Sequence, residues 1–120
     1  MKVAVVGSSP HQINLGKYLP KGVEVLLTDD TPSGMESHVR AFSKEKHLKF
    51  VVFKADPEKN PKYPELCRNN LIVENADAVL IFYDGENHDT FYFEDKCLQL
   101  GKKYDFINLV PNKMYKREPG

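Results

Sequence analysis

The segment from residue 67 to residue 97, CRNNLIVENADAVLIFYDGENHDTFYFEDKC, concentrates the side chains best suited to chemistry. Its middle, ADAVLIFY, reads as a buried strand, with Arg68, Asn69 and Asn70 before it and the run Asp84 to Thr90 after it. A guanidinium holds a phosphate or carboxylate through two parallel N–H bonds, which makes Arg68 the best anion partner of the region. Asp89 and Thr90 have the look of a helix start, where free N–H groups and the helix dipole attract negative charge. A third polar group, Gly7-Ser8-Ser9, follows the apolar run VAVV near the N-terminus. There a glycine lets the backbone approach a ligand closely, and two hydroxyls stand beside it. Each feature also has an ordinary structural reading. Gly7-Ser8-Ser9 serves equally as a tight turn with a helix cap, Asp89 as a cap, and Arg68 as a solvated charge on a helix.

Other chemistries find less support. Neither the G-x-G-x-x-G fingerprint nor a P-loop G-x-x-x-x-G-K is present, and no cofactor is expected. His11, His38, His47 and His88 are scattered without metal-ligand spacing, so no metal is expected. Cys67 and Cys97 lack C-x-x-C spacing and read as reduced, packing thiols. Lysine plus arginine and aspartate plus glutamate number 17 each, a balance unlike the basic surface of a nucleic-acid binder. No apolar run is long enough to span a membrane, and the start MKVAVVGSSP reads as strand and turn, not as a signal peptide. Cytoplasmic placement is expected.

The elements that position these residues follow from periodicity. The 120 residues suffice for one domain, expected over 1–110 with a C-terminal tail at 111–120. Five apolar runs recur, Lys2–Val6, Val23–Thr28, Leu48–Lys54, Ala78–Tyr83 and Tyr104–Leu109. Several are apolar almost throughout, as strands covered on both faces are. Helical segments alternate with them. One is expected from Ser9-Pro10 to about Leu19, and a second from a capping box of Ser33 and Glu36, with Met35, Val39 and Phe42 facing inward. A third opens at Pro64, its Leu66, Ile72 and Val73 facing inward; the fourth is capped by Asp89, buries Phe93, Cys97 and Leu100, and stops at Gly101. Residues 54–64, with three prolines, form a loop. Phe91, Tyr92 and Phe93 exceed what one buried face needs, which points to an apolar dimer surface. The fold expected is α/β, a three-layer Rossmann-like sandwich around a five-stranded, mainly parallel sheet of order 3-2-1-4-5. Ligands of such sheets sit beyond the carboxyl ends of the strands where the order reverses. The loops after Val6, Thr28 and Tyr83 therefore form the expected rim, which Arg68 and Asn69 can approach from the start of the third helix.

The order VAVVGS, then GME, then RNNLIVENADAVLIFYDG, then DT resembles the SLOG superfamily over residues 2 to about 110. That superfamily includes YspA-related domains, the nucleotide-binding part of DprA and the lysine-decarboxylase-like phosphoribohydrolases. The resemblance implies a Rossmann-like domain that binds a nucleotide or nucleotide-derived ligand and often dimerises. It implies ligand contacts at Gly7 and Ser8 in the first loop, at Gly34 and Glu36, at Arg68 and Asn69, at Asp84 and Gly85, and at Asp89 and Thr90. Where relatives carry Ser-Gly-Gly after the second strand, this chain has Thr28-Asp29-Asp30, placing two carboxylates where a phosphate is expected. The phosphoribohydrolase motif P-G-G-x-G-T-x-x-E is also incomplete. Phe93 holds the position of its glutamate, and Glu94 is displaced by roughly 100° around the helix. The expectation is therefore noncatalytic binding or sensing of a nucleotide-derived small molecule. The alternatives are an N-glycosidic hydrolase or transferase using Glu36, Asp84 or Glu94, and a protein-interaction module that has lost its ligand.

Overall fold

The computed structural model describes residues 1–8, 12–32, 34–87 and 89–110. Five strands, β1 (Lys2–Gly7), β2 (Val25–Asp29), β3 (Lys49–Phe53), β4 (Ala78–Tyr83) and β5 (Lys103–Asn108), form one parallel sheet in the order β3-β2-β1-β4-β5. The helices are α1 (Glu36–Lys46), α2 (Pro64–Asn75) and α3 (Asp89–Leu100). The sheet alternates its side chains between two apolar layers. Ala4, Val6, Leu27, Val79 and Ile81 face α2 and α3, where Ile72, Val73, Ala76, Phe93 and Cys97 complete the core. Val3, Val5, Leu26, Leu80 and Phe82 face the other way, against Leu15, Met35 and Val39. This is the expected three-layer Rossmann-like arrangement, with α1 on one face of the sheet and α2 and α3 on the other.

Local chemistry explains where the helices stop. α1 ends at His47 in the left-handed region (φ 56°), and Leu48 N–H returns to the Ser43 carbonyl at 2.9 Å. α3 ends at Gly101 (φ 67°), with Lys102 N–H on the Cys97 carbonyl at 2.9 Å. Lys102 then sends its ammonium to the Glu74 and Ala76 carbonyls at the end of α2, a cation at a helix C-terminus. Asp56 organises the proline-rich loop by accepting the N–H groups of Glu58 and Lys59.

Several local expectations are corrected. The helix expected from Ser9 to Leu19 does not form over the described part of that span. Only a 3-10 turn at Leu15–Lys17 is found, and Tyr18 and Leu19 N–H both return to the Leu15 carbonyl. Gly16 is a poor helix former, and Pro20 disfavours a helical Leu19. Met35, with no side-chain cap, sits at the N-cap of α1; Glu36 ion-pairs with Arg40 one turn on, and Ser33 lies outside the described residues. Asp89 is the first residue of α3, and its N–H is taken by the Asn87 side chain. Leu66 and Leu100 are exposed, each on an end turn of its helix. The inward stripe of α2 instead includes Arg68 and Asn69. The three aromatics of α3 all find neighbours within the chain. Phe93 is buried, Phe91 stacks on Phe106 (centroids 6.1 Å apart, rings 5° from parallel), and the Tyr92 hydroxyl donates to the Asn70 side chain. Residues 111–120 lie outside the described residues.

Candidate functional site

The carboxyl ends of β1, β2 and β4 come together where the strand order reverses. β1 pairs with β4 up to Gly7 opposite Phe82, and Ser8 N–H continues the contact by donating to the Phe82 carbonyl at 3.0 Å. Gly7 adopts φ 108°, and a Cβ there would lie 2.1 Å from the Phe82 carbonyl oxygen. The loop after β4 crosses back over this turn. Asp84 accepts the N–H groups of Glu86 and Asn87, both at 2.8 Å, while Gly85 supplies the positive φ of 90°. Asn87 then ties the rim together. Its amide donates to the Ser8 hydroxyl at 3.3 Å, its side-chain oxygen accepts Asp89 N–H at 2.9 Å, and its carbonyl accepts the Thr90 hydroxyl at 2.7 Å.

From the β2 side, Asp29 turns inward and accepts Thr31 N–H at 3.1 Å. Gly34 closes the same turn, its N–H on the Thr31 carbonyl at 2.9 Å. A side chain at Gly34 would press against the Asp29 carboxylate, because its Cβ would stand 3.0 Å from Oδ1. Asp30 points to α2 and ion-pairs with Arg68 at 2.7 Å, and Arg68 Nε donates to the Asn69 side chain at 3.2 Å. The Arg68 side chain is 8% exposed, that of Asp30 34%.

Beside these turns lies an open crevice of about 620 Å³, walled by Asp30, Thr31 and Pro32 after β2, Ala55 after β3, Glu65 and Arg68 of α2, and Asp89 of α3. Behind it lies a gap of about 20 Å³, reached past Arg68 and Asp89 and lined by Gly7, Asp29, Asn69, Asn87 and Phe93. A second cavity, of about 320 Å³, opens at the opposite end of the sheet beside Tyr18, Pro20 and Tyr104. It lies away from every loop named above.

Of the residues singled out in the sequence, Arg68 and Asp89 line the crevice and Gly7 and Asn69 line the gap behind it, while Ser8, Gly34, Asp84, Gly85 and Thr90 lie in adjoining turns or the first turn of α3 and are not among its described lining residues. Thr28 is fully buried and donates its hydroxyl to the Val5 carbonyl at 2.8 Å, which makes it a strand-to-strand tie. Glu36 is directed along its own helix to Arg40. Ser9 and His88 lie outside the described residues. The anion site expected at a helix start after β1 loses its helix, because residues 12–24 hold only the 3-10 turn. Asn87 and Glu65 are the residues the spacing argument passed over. The signal for Asn87 was its place two residues before the first residue of α3; for Glu65 it was the position beside Pro64 in a first turn.

Burial sets the electrostatics. It pushes the Asp29 carboxyl above the ordinary aspartate value of 3.8, against the opposing pull of the Thr31 N–H and Arg68. For Asp84, burial acts in the same direction but is outweighed by the Asn87 and Glu86 N–H groups, which hold its carboxyl below that value. Burial also raises the Cys97 thiol to about 11, leaving it protonated and unreactive at neutral pH. Among the described residues, no group of three or more His, Cys, Asp or Glu side chains is placed to hold a metal ion.

The Asp29 shift has a testable consequence. A carboxyl whose folded value is raised binds more protons folded than unfolded, so its contribution to stability falls as pH rises from 3.8 through the folded value. Asparagine copies the protonated form. Asp29→Asn is therefore expected to be more stable than the parent at pH 7, with the difference shrinking as pH falls toward 4. Urea denaturation at a series of pH values measures it; a variant less stable at pH 7 would contradict the assignment.

Comparison with protein-family models, curated protein sequences and solved structures gives no match for this chain. Among the described residues, no helix is long and apolar enough to cross a membrane.

Proposed function

We propose that this chain is a noncatalytic domain that binds or senses a nucleotide-derived small ligand at the carboxyl edge of its sheet, in the manner of the SLOG superfamily it resembles. The observation that carries this reading is a crevice walled by the loop after β2, the start of α2 and the first residue of α3, with a buried arginine in its wall and Gly7 of β1 lining the gap behind it. A crevice at the topological switch point is where open α/β sheets hold ligands. Asp84 and Asn87 order their part of the rim through backbone N–H groups and the Thr90 hydroxyl, which lowers the cost of binding there.

Support for the noncatalytic part comes from the carboxylates. Glu36 is engaged by Arg40, and Asp84 receives two N–H groups that favour its ionised form, the wrong state for a general acid at neutral pH. Neither these two nor Glu94 is among the described residues lining the crevice. One observation favours the second reading, cleavage of an N-glycosidic bond. Asp29 is a buried carboxyl with a raised pKa behind the crevice, as a proton donor to a departing base would be. Release of free base in a broad nucleoside and nucleotide screen, lost in Asp29→Asn, would establish that reading.

The binding reading is tested by thermal shift and calorimetry with a panel of free bases, nucleosides and nucleoside monophosphates. At least one class is expected to raise the melting temperature. Arg68→Gln is expected to weaken that binding at least tenfold, about 1.4 kcal/mol. Unchanged affinity would remove Arg68 from the site, and no binding by any member at millimolar concentration would remove the reading.

A further inference from the structure

We propose that Asp30 makes the crevice selective for phosphate-free ligands, so that it takes a nucleoside in preference to the corresponding nucleotide. This rests on the crevice being the ligand site. Arg68 is the one cation among the described residues lining it, and Asp30 already occupies its guanidinium at 2.7 Å. A phosphate could use Arg68 fully only by displacing that carboxylate. Asp30 is tied to a short turn by its neighbours, since Asp29 and Thr31 are joined by a hydrogen bond across it. Displacement would leave its charge beside the incoming anion.

The other anion-attracting features are also taken. The helix starts that open on the crevice each carry a carboxylate in the first turn, Glu65 in α2 and Asp89 in α3, and both line the wall. The positive ends of these helix dipoles therefore face negative charge supplied by the chain itself. With the Arg68–Asp30 pair neutral, Glu65 and Asp89 leave the wall negative, which repels a dianionic phosphate.

The same groups suit a neutral ligand rich in hydroxyls. Carboxylates are acceptors only, so Asp30, Glu65 and Asp89 match sugar hydroxyl donors. Arg68 uses one N–H on Asp30 and its Nε–H on Asn69, leaving further N–H groups for a ring nitrogen or carbonyl of a base.

The experiment is isothermal calorimetry of the intact chain and of Asp30→Asn with the four ribonucleosides and their 5′-monophosphates, at low and high salt. The parent is expected to bind at least one nucleoside tenfold or more tighter than its monophosphate, with the gap narrowing in high salt. In Asp30→Asn the monophosphate is expected to gain at least tenfold and the ratio to close or invert. Should that variant fail to fold, Glu65→Gln, on an exposed side chain, is expected to narrow the same ratio. A parent that binds the monophosphate as tightly as the nucleoside, or folded variants that leave the ratio unchanged, would overturn the selectivity while leaving the binding site standing. Absence of heat from every probe would overturn the site together with the selectivity.

Discussion

Gly7→Ala is expected to destabilise the chain by about 3 kcal/mol, and to do so by parting two central strands. Gly7 has φ 108°, a conformation L side chains rarely adopt, and the added methyl carbon would stand 2.1 Å from the Phe82 carbonyl oxygen. That oxygen belongs to the backbone of β4 and accepts Ser8 N–H at 3.0 Å, so it cannot swing aside as a flexible side chain would. Relief requires β1 and β4 to separate where Gly7 pairs with Phe82, with loss of the Ser8 bond and of the Asn87 contact beyond it. Urea denaturation should show a lower midpoint with a similar slope. A midpoint equal to the parent's would show that the turn relaxes freely and that Gly7 is not held as described.

Phe93→Ala is expected to cost about 3–5 kcal/mol, the range for deleting a buried phenyl ring from a packed core. Phe93 is 2% exposed and packs in the layer formed by Val6, Ile81, Ile72 and Cys97. Its ring also lines the gap behind the crevice, next to Gly7 and Arg68. The cavity left would therefore open toward a polar gap, where water can enter and soften the loss. A cost at the lower end of the range would follow from such entry. A cost below about 1 kcal/mol would mean that α3 is not docked through this residue. Ligand affinity in the surviving folded fraction should fall as well, because Phe93 docks the helix whose first residue, Asp89, lines the crevice.

Much of the sheet was legible in the chain itself. Runs such as FVVF and AVLIFY are apolar on consecutive residues because both faces of a central parallel strand are covered, and their spacing left room for crossover helices. The order 3-2-1-4-5 is one of the few that alternating strands and helices favour, and it is the one found, with an edge where strand order reverses. Helix ends marked by strong local signals, Pro64 and Gly101, also came out as read.

The failures share a cause. Ser9-Pro10 carries a helix-start signal, but a cap contributes only about 1 kcal/mol, and over the described residues that follow it only a 3-10 turn forms. Between β1 and β2 the path is set by Gly16 and Pro20, and by Leu15 and Tyr18 reaching the sheet face. On α2, helical period identified Ile72 and Val73 as buried but said nothing of Arg68 and Asn69, since a polar residue becomes buried only when a partner awaits it.

Residue order alone determined the strands, their parallel pairing and the edge at which Gly7, Asp30, Arg68 and Asp89 would be near one another, because apolar periodicity and crossover handedness are properties of the chain. Only tertiary structure decided what those residues do to each other. The partner of Arg68 is Asp30, 38 positions away, chosen by the packing of α2 against the end of β2. Coulomb attraction and desolvation depend on distance in space and on burial, neither of which sequence spacing encodes, so the conversion of an expected anion site into a closed ion pair became visible only once the chain was folded.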